Sequence, residues 1–185
     1  MVDGLTDARS AESPERPPTL SIIDYPAPDA ARPPQPRPPT LRAGACTGTK
    51  TMPSVLYLCP DGAARGPMAE ALTRFLMPDI DAWSAAWMPG HVRRPARQTL
   101  RRFGADVRGL RARGLLEIDF REIDLIVMLT DEPGCPRLPA GIPVVRLPLP
   151  DPDAMPAVES NEAYRDTLDA LDRLLPPLLH DHLPT

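Results

Sequence analysis

The stretch Val55-Leu56-Tyr57-Leu58-Cys59-Pro60-Asp61-Gly62-Ala63-Ala64-Arg65-Gly66-Pro67-Met68 decides how the chain is read. Val55 to Leu58 is short, apolar and partly β-branched, as expected of a strand buried on both faces of a parallel sheet. Residues 59–66 read as a loop. Pro67 suits the first turn of a helix, where its missing N–H costs nothing and its φ is preset. Met68, Leu72, Phe75 and Leu76 follow at helical spacing, and Pro78 marks the stop.

The pattern repeats downstream. Ala82 to Ala85 is a second strand, and Pro95 to Phe103 an Arg-rich helix ended by Gly104. Asp124 to Leu129 is the most apolar strand of the chain, and Val144 to Leu147 a fourth. Tyr164, Leu168, Leu171, Leu175 and Leu178 form a last amphipathic helix. Ser160 is its candidate N-cap, and Pro176-Pro177 is expected to end or kink it. The order is strand, helix, strand, helix, strand, short helix, strand, helix. That order predicts an α/β fold, a three-layer sandwich with a four-stranded parallel sheet covered on both faces. Residues 54–185 are enough for one such core.

Residues 1–53 differ. They hold 11 of the 27 prolines, and Arg32-Pro-Pro-Gln-Pro-Arg-Pro-Pro-Thr40 is close to pure polyproline II sequence. The expectation is a disordered Pro-rich tail, either a passive extension or a PxxP-type ligand.

Over 185 residues, 21 basic and 25 acidic side chains leave a net charge of −4, which weighs against a nucleic-acid binder held by bulk electrostatics. Lys50 is the only lysine, so the other 20 basic residues are arginine. Arginine is the better fork for phosphate, although GC-rich codon usage gives the same bias. No apolar run approaches the ~20 residues of a membrane span, and the N-terminus lacks the features of a signal peptide. An odd count of three cysteines (Cys46, Cys59, Cys135) fits a reduced, cytoplasmic compartment better than a disulfide framework. His91, His180 and His182 are scattered, the last two in what reads as a frayed end, so neither a metal site nor a cofactor is expected.

In open α/β sheets ligands collect at the carboxyl ends of strands. Cys59 ends the first strand, and the next helix offers free N–H groups and the positive end of its dipole. Cys59 and Arg65 are separated by five residues. A loop of that length can curl its amides around one tetrahedral oxyanion, with Arg65 gripping two oxygens and the Cys59 thiol beneath. The amides, the helix terminus and the guanidinium all lower a thiol pKa, so a nucleophilic thiolate near neutral pH is expected. The competing reading is a small buried hydrophobe at a strand end beside a surface arginine.

Val55-Leu-Tyr-Leu-Cys59, Arg65 and Pro67-Met-Ala-Glu70 resemble the opening of the low-molecular-weight protein tyrosine phosphatases and the related arsenate reductases. Ser84-Ala85-Ala86 resembles the end of that family's second strand. Arg111-Ala-Arg-Gly-Leu-Leu116 and Asp119-Phe120 resemble the approach to its third, and Leu149-Pro150-Asp151-Pro152 its acid-bearing Asp-Pro. These matches are collinear over about residues 54–180. The resemblance implies that Cys59 attacks phosphorus to form a phosphocysteine. Arg65 and the loop Asp61, Gly62, Ala63, Ala64 and Gly66 would bind the oxygens. Asp151 would protonate the leaving group and then activate water, with Asp153 as the fallback acid. The substrate would be a phosphorylated protein or a small phosphomonoester, or, on the reductase branch, arsenate with an external thiol.

The loop departs from the family pattern C-x-G-N-x-x-R-S. Pro60 lacks a donor, Asp61 brings a negative charge, Gly62 replaces a bracing Asn, and Gly66 replaces a Ser whose hydroxyl supports the thiolate. Asp153-Ala154-Met155 stands where an aromatic pair would stack on phosphotyrosine. These losses open a third reading, an oxyanion- or partner-binding protein without turnover. On the reductase branch Cys135 is the one thiol in the loop after the third strand; the alternative is a loop cysteine with no role.

Overall fold

The structure, a computed structural model, describes residues 21–22, 52–155 and 160–183. Strands β1 (Ser21–Ile22), β2 (Ser54–Cys59), β3 (Asp81–Ala86), β4 (Leu125–Met128) and β5 (Val144–Arg146) form one sheet in the order β1-β5-β4-β2-β3. The last four are parallel. Val55 to Cys59 of β2 pair with Ala82 to Ala86 of β3, Val55 also faces Leu125 of β4, and Ile126 faces Val144 of β5. The four-stranded parallel sheet expected from the sequence is therefore present.

Residues alternate between the two faces of a strand, and both faces here are apolar. Val55, Tyr57, Leu125 and Val127 face α1 (Arg65–Leu76), α2 (Arg94–Phe103) and α3 (Ser160–His182), where they pack with Met68, Leu72, Leu100, Tyr164 and Leu171. Tyr57 is fully buried there, and its hydroxyl is satisfied by Thr73 Oγ1 at 2.6 Å. Leu56, Leu58, Ile126 and Met128 face the other way, under Trp83, Leu115, Phe120 and Leu138. Two 3-10 turns, Leu115–Glu117 and Phe120–Glu122, carry much of that second cover.

Three local expectations change. Residues 130–143 hold no helix between β4 and β5. Pro133, Pro136, Pro139 and Pro143 remove donors, and Gly134 and Gly141 take φ of 105° and 91°, so no run of helical hydrogen bonds can build. Pro176 and Pro177 do not end α3, which continues to His182. Leu175, Leu178, Leu179 and Leu183 on either side are buried, and that packing outweighs the two missing N–H donors. His180 and His182 accordingly lie in helix rather than in a frayed end. Finally, Ser21 and Ile22 pair antiparallel with Arg146 and Val145 on the edge of β5, a strand the sequence reading does not contain. The remainder of residues 1–51, and with it the reading of a Pro-rich tail and Cys46, lies outside the described residues. Among the described residues no helix is long and apolar enough to cross a membrane.

β2 is flanked by β3 on one side and β4 on the other, so the chain reverses its direction of travel across the sheet there. The carboxyl end of β2 is thus the crevice where α/β sheets bind ligands.

Candidate active site

Residues 59–66 leave the end of β2 and turn directly into α1. The adjoining segment fixes the outside of the loop: the N–H groups of Met88, Gly90 and Arg93 donate to the carbonyls of Pro60, Asp61 and Ala63 at 2.9, 2.8 and 2.8 Å. With its carbonyls held outward, the loop turns amides inward. Those of Gly66 and Gly62 lie towards the Cys59 sulfur and favour its thiolate.

Two glycines permit this. Gly62 has φ +65°, and a Cβ there would meet Ala112 Cβ at 2.9 Å and Ala86 Cβ at 3.3 Å. The bracing side chain that the resemblance places at 62 therefore has no room, and the backbone of 110–114 packs in its stead, with Ala86 N donating to Arg113 O at 2.8 Å. At Gly66 a Cβ would stand 3.0 Å from Cys59 Sγ and 3.3 Å from Ser84 Cβ. A serine at 66 would press on the sulfur, so the missing hydroxyl is a consequence of how the thiol is packed.

Cys59 is fully buried. Burial pushes its thiol up to about 11; the Gly66 and Gly62 amides and Arg65 pull the other way without overcoming it, and Asp61 adds to the rise. The expected low-pKa thiol is thus not the resting state. The dipoles are arranged as the sequence suggested, but desolvation is the larger effect.

Arg65, 4% exposed, donates from Nη1 to Leu149 O at 3.1 Å, and from Nη2 to Asp151 Oδ2 and Glu132 Oε1, both at 3.2 Å. Cys59, Arg65 and Asp151 are therefore brought to one end of the sheet. Asp151 also caps the turn Pro152–Ala154, accepting from Asp153 N at 3.0 Å. Asp153, the fallback acid, is committed elsewhere: it accepts from Arg93 Nε at 2.7 Å and from the Tyr164 hydroxyl. This latch ties the acid-bearing turn to α3 and to the segment that holds the loop. Of the predicted oxygen-binding residues, Ala63 gives its N–H to Asp61 Oδ1 at 3.1 Å, so the Asp61 carboxylate occupies one amide of the cradle.

Beneath the loop lies a second ionic group that sequence reasoning missed. Glu70 is completely buried and accepts from Arg113 Nη1 at 2.9 and 3.1 Å, from Arg74 Nη2 at 2.7 Å and from Ser84 Oγ. Arg113 also stacks over Trp83 at 5.1 Å. A glutamate inside the apolar stripe of α1 was the available signal, because a buried carboxylate requires a counter-ion.

Comparison with known proteins agrees with this fold. Residues 54–136 match the family model described as low molecular weight phosphotyrosine protein phosphatase. An arsenate reductase solved in its phosphate-binding state aligns with a TM-score of 0.61 and 20% identity, covering 71% of this chain and 99% of that one. An arsenate reductase from Archaeoglobus fulgidus aligns at 0.55 and 25%, covering 65% and 98%. The tyrosine phosphatase Wzb from Escherichia coli K30, in complex with sulphate, aligns at 0.50 and 18%, covering 69% and 99%. No curated protein matches the sequence. The motif resemblance thus agrees with the family model from Ser54 onward, and arsenate reductases and tyrosine phosphatases are among the solved structures that share the fold.

Proposed function

We propose that the chain hydrolyses a phosphomonoester through a phosphocysteine on Cys59. One observation carries this reading. The buried Cys59 sulfur, with two loop amides that favour its thiolate, a buried arginine and an aspartate bonded to that arginine meet at the carboxyl end of β2.

The resting thiol is protonated, so a proton must leave it before attack. The entering phosphate dianion can take it, which leaves Cys59 as the nucleophile. The thiolate attacks phosphorus, the S–P bond forms as the P–O bond breaks, and Asp151, as the acid, gives a proton to the leaving oxygen. In the second half Asp151 takes a proton from water, which attacks phosphorus and releases the sulfur. Arg65 and the loop amides hold the equatorial oxygens throughout. Asp151→Asn should therefore slow hydrolysis by about 10²-fold or more for alkyl phosphates and far less for phosphates of acidic phenols, which leave without a proton. Equal slowing of both in a leaving-group series would take the acid role from Asp151.

A second reading is supported by the arsenate reductases among the solved structures: reduction of arsenate with an external thiol. Cys135 is half-buried, and burial raises its thiol pKa. Cys135→Ser should leave aryl-phosphate hydrolysis intact. If it instead removes arsenate-dependent thiol consumption, Cys135 takes part in a reductase cycle and the second reading prevails.

A further inference from the structure

Arg65 carries more negative charge than a waiting phosphate arginine needs. A guanidinium has two two-pronged faces, Nε with Nη2 and Nη1 with Nη2, and a bidentate grip on an oxyanion uses one of them. Nη2 belongs to both. Here it has two hydrogens and two carboxylate partners, Glu132 Oε1 and Asp151 Oδ2, each at 3.2 Å. An oxyanion gripped by Arg65 must displace one of them.

The two are held differently. Asp151 is 32% exposed and fixed on its second oxygen by Asp153 N, on a turn latched to Arg93 and Tyr164. Glu132 is 54% exposed, stands on the irregular segment after β4, and has Thr130 as its other partner: Thr130 Oγ1 lies 3.3 Å from Glu132 Oε1 and accepts from Glu132 N at 3.0 Å. Glu132 is the partner that can leave without moving the acid.

We infer that Glu132 is an internal competitor for Arg65, a specificity-determining residue that an entering oxyanion displaces and that sets how tightly oxyanions bind. The inference rests on the oxyanion reading of Arg65. It gives the site a threshold. A phosphate enters only with enough further binding, from the loop amides and from the rest of the substrate, to offset the ion pair it breaks. Glu132 is thus expected to act on binding and not on the chemical step.

Isothermal titration of the full chain with inorganic phosphate at low salt tests this. Glu132→Gln keeps the shape and removes the charge, and should tighten phosphate by about tenfold; with an aryl phosphate the change should fall on KM, with kcat not raised. Glu132→Asp keeps the charge but is one methylene shorter and loses its reach to Nη2, so it should also tighten phosphate. Equal affinities in the wild type and Glu132→Gln would overturn the inference and leave the oxyanion reading standing. Tightening by Gln but not by Asp would overturn it too, because long-range repulsion would then explain the effect without displacement. Absence of phosphate binding in every variant would take the oxyanion reading down with it.

Discussion

Replacing Arg113 by methionine should lower the melting temperature by roughly 6–12 °C, from the loss of about 3 kcal/mol in a domain of this size. The reason is Glu70, which is 0% exposed and takes both of its Arg113 contacts from one Nη1. Removing one member of a buried pair leaves an uncompensated charge, at about 3–5 kcal/mol. The lower figure applies because Arg74, itself 38% exposed, stays beside Glu70 at 2.7 Å. Replacing Glu70 by leucine as well should recover most of the loss, since an apolar pair of similar volume avoids the desolvation altogether. Thermal unfolding of the two single variants and the double variant checks this. A loss under about 1 kcal/mol for Arg113→Met would mean that Arg74 alone holds the carboxylate. Because Arg113 sits in the segment that packs on Gly62 and Ala86, its loss should also loosen the loop from beneath.

The second large effect concerns Cys59. Cys59→Ser should abolish aryl-phosphate hydrolysis, by on the order of 10³-fold or more, because an alcohol ionises far less readily than a thiol and is a far weaker nucleophile. The thiol brings its own pH dependence. Burial raises its pKa to about 11 from an ordinary 9.0, so between those values the unfolded chain ionises and the native one does not. Whatever stability the neutral buried thiol contributes is complete below pH 9 and is lost as pH rises towards 11. In Cys59→Ser that alkaline loss should shrink, which separates the thiol from the tyrosines that titrate in the same region.

What could be read in the sequence was local. Val55 to Leu58 and the 3.6-residue spacing of Met68, Leu72 and Leu76 specify β2 and α1 within a few neighbours, and the loop between them follows. Asp151 was legible only through the resemblance of Leu149-Pro150-Asp151-Pro152 to an acid-bearing Asp-Pro, because Asp-Pro by itself marks no more than a turn. The rest depends on contacts far apart in the chain. Arg65 meets Glu132 across 67 positions and Arg113 meets Glu70 across 43, and nothing periodic relates them. Pro60, Asp61, Gly62 and Gly66 looked like losses one at a time. In the structure Gly62 admits Ala112 and Gly66 admits the sulfur, so two of the four are fitted to their surroundings. The proline pair in α3 misled for a related reason: propensity is decided locally, and the burial of Leu175, Leu178 and Leu179 is not.

The central claim is that Cys59 becomes covalently bonded to phosphorus. The direct measurement is mass spectrometry of the Asp151→Asn chain, quenched in acid during turnover of an aryl phosphate with an acidic phenol. A phosphate is expected on the peptide carrying Cys59, absent in Cys59→Ser and formed as the phenol is released. Release of phenol with no phosphate on Cys59, or phosphate on another residue, would contradict it.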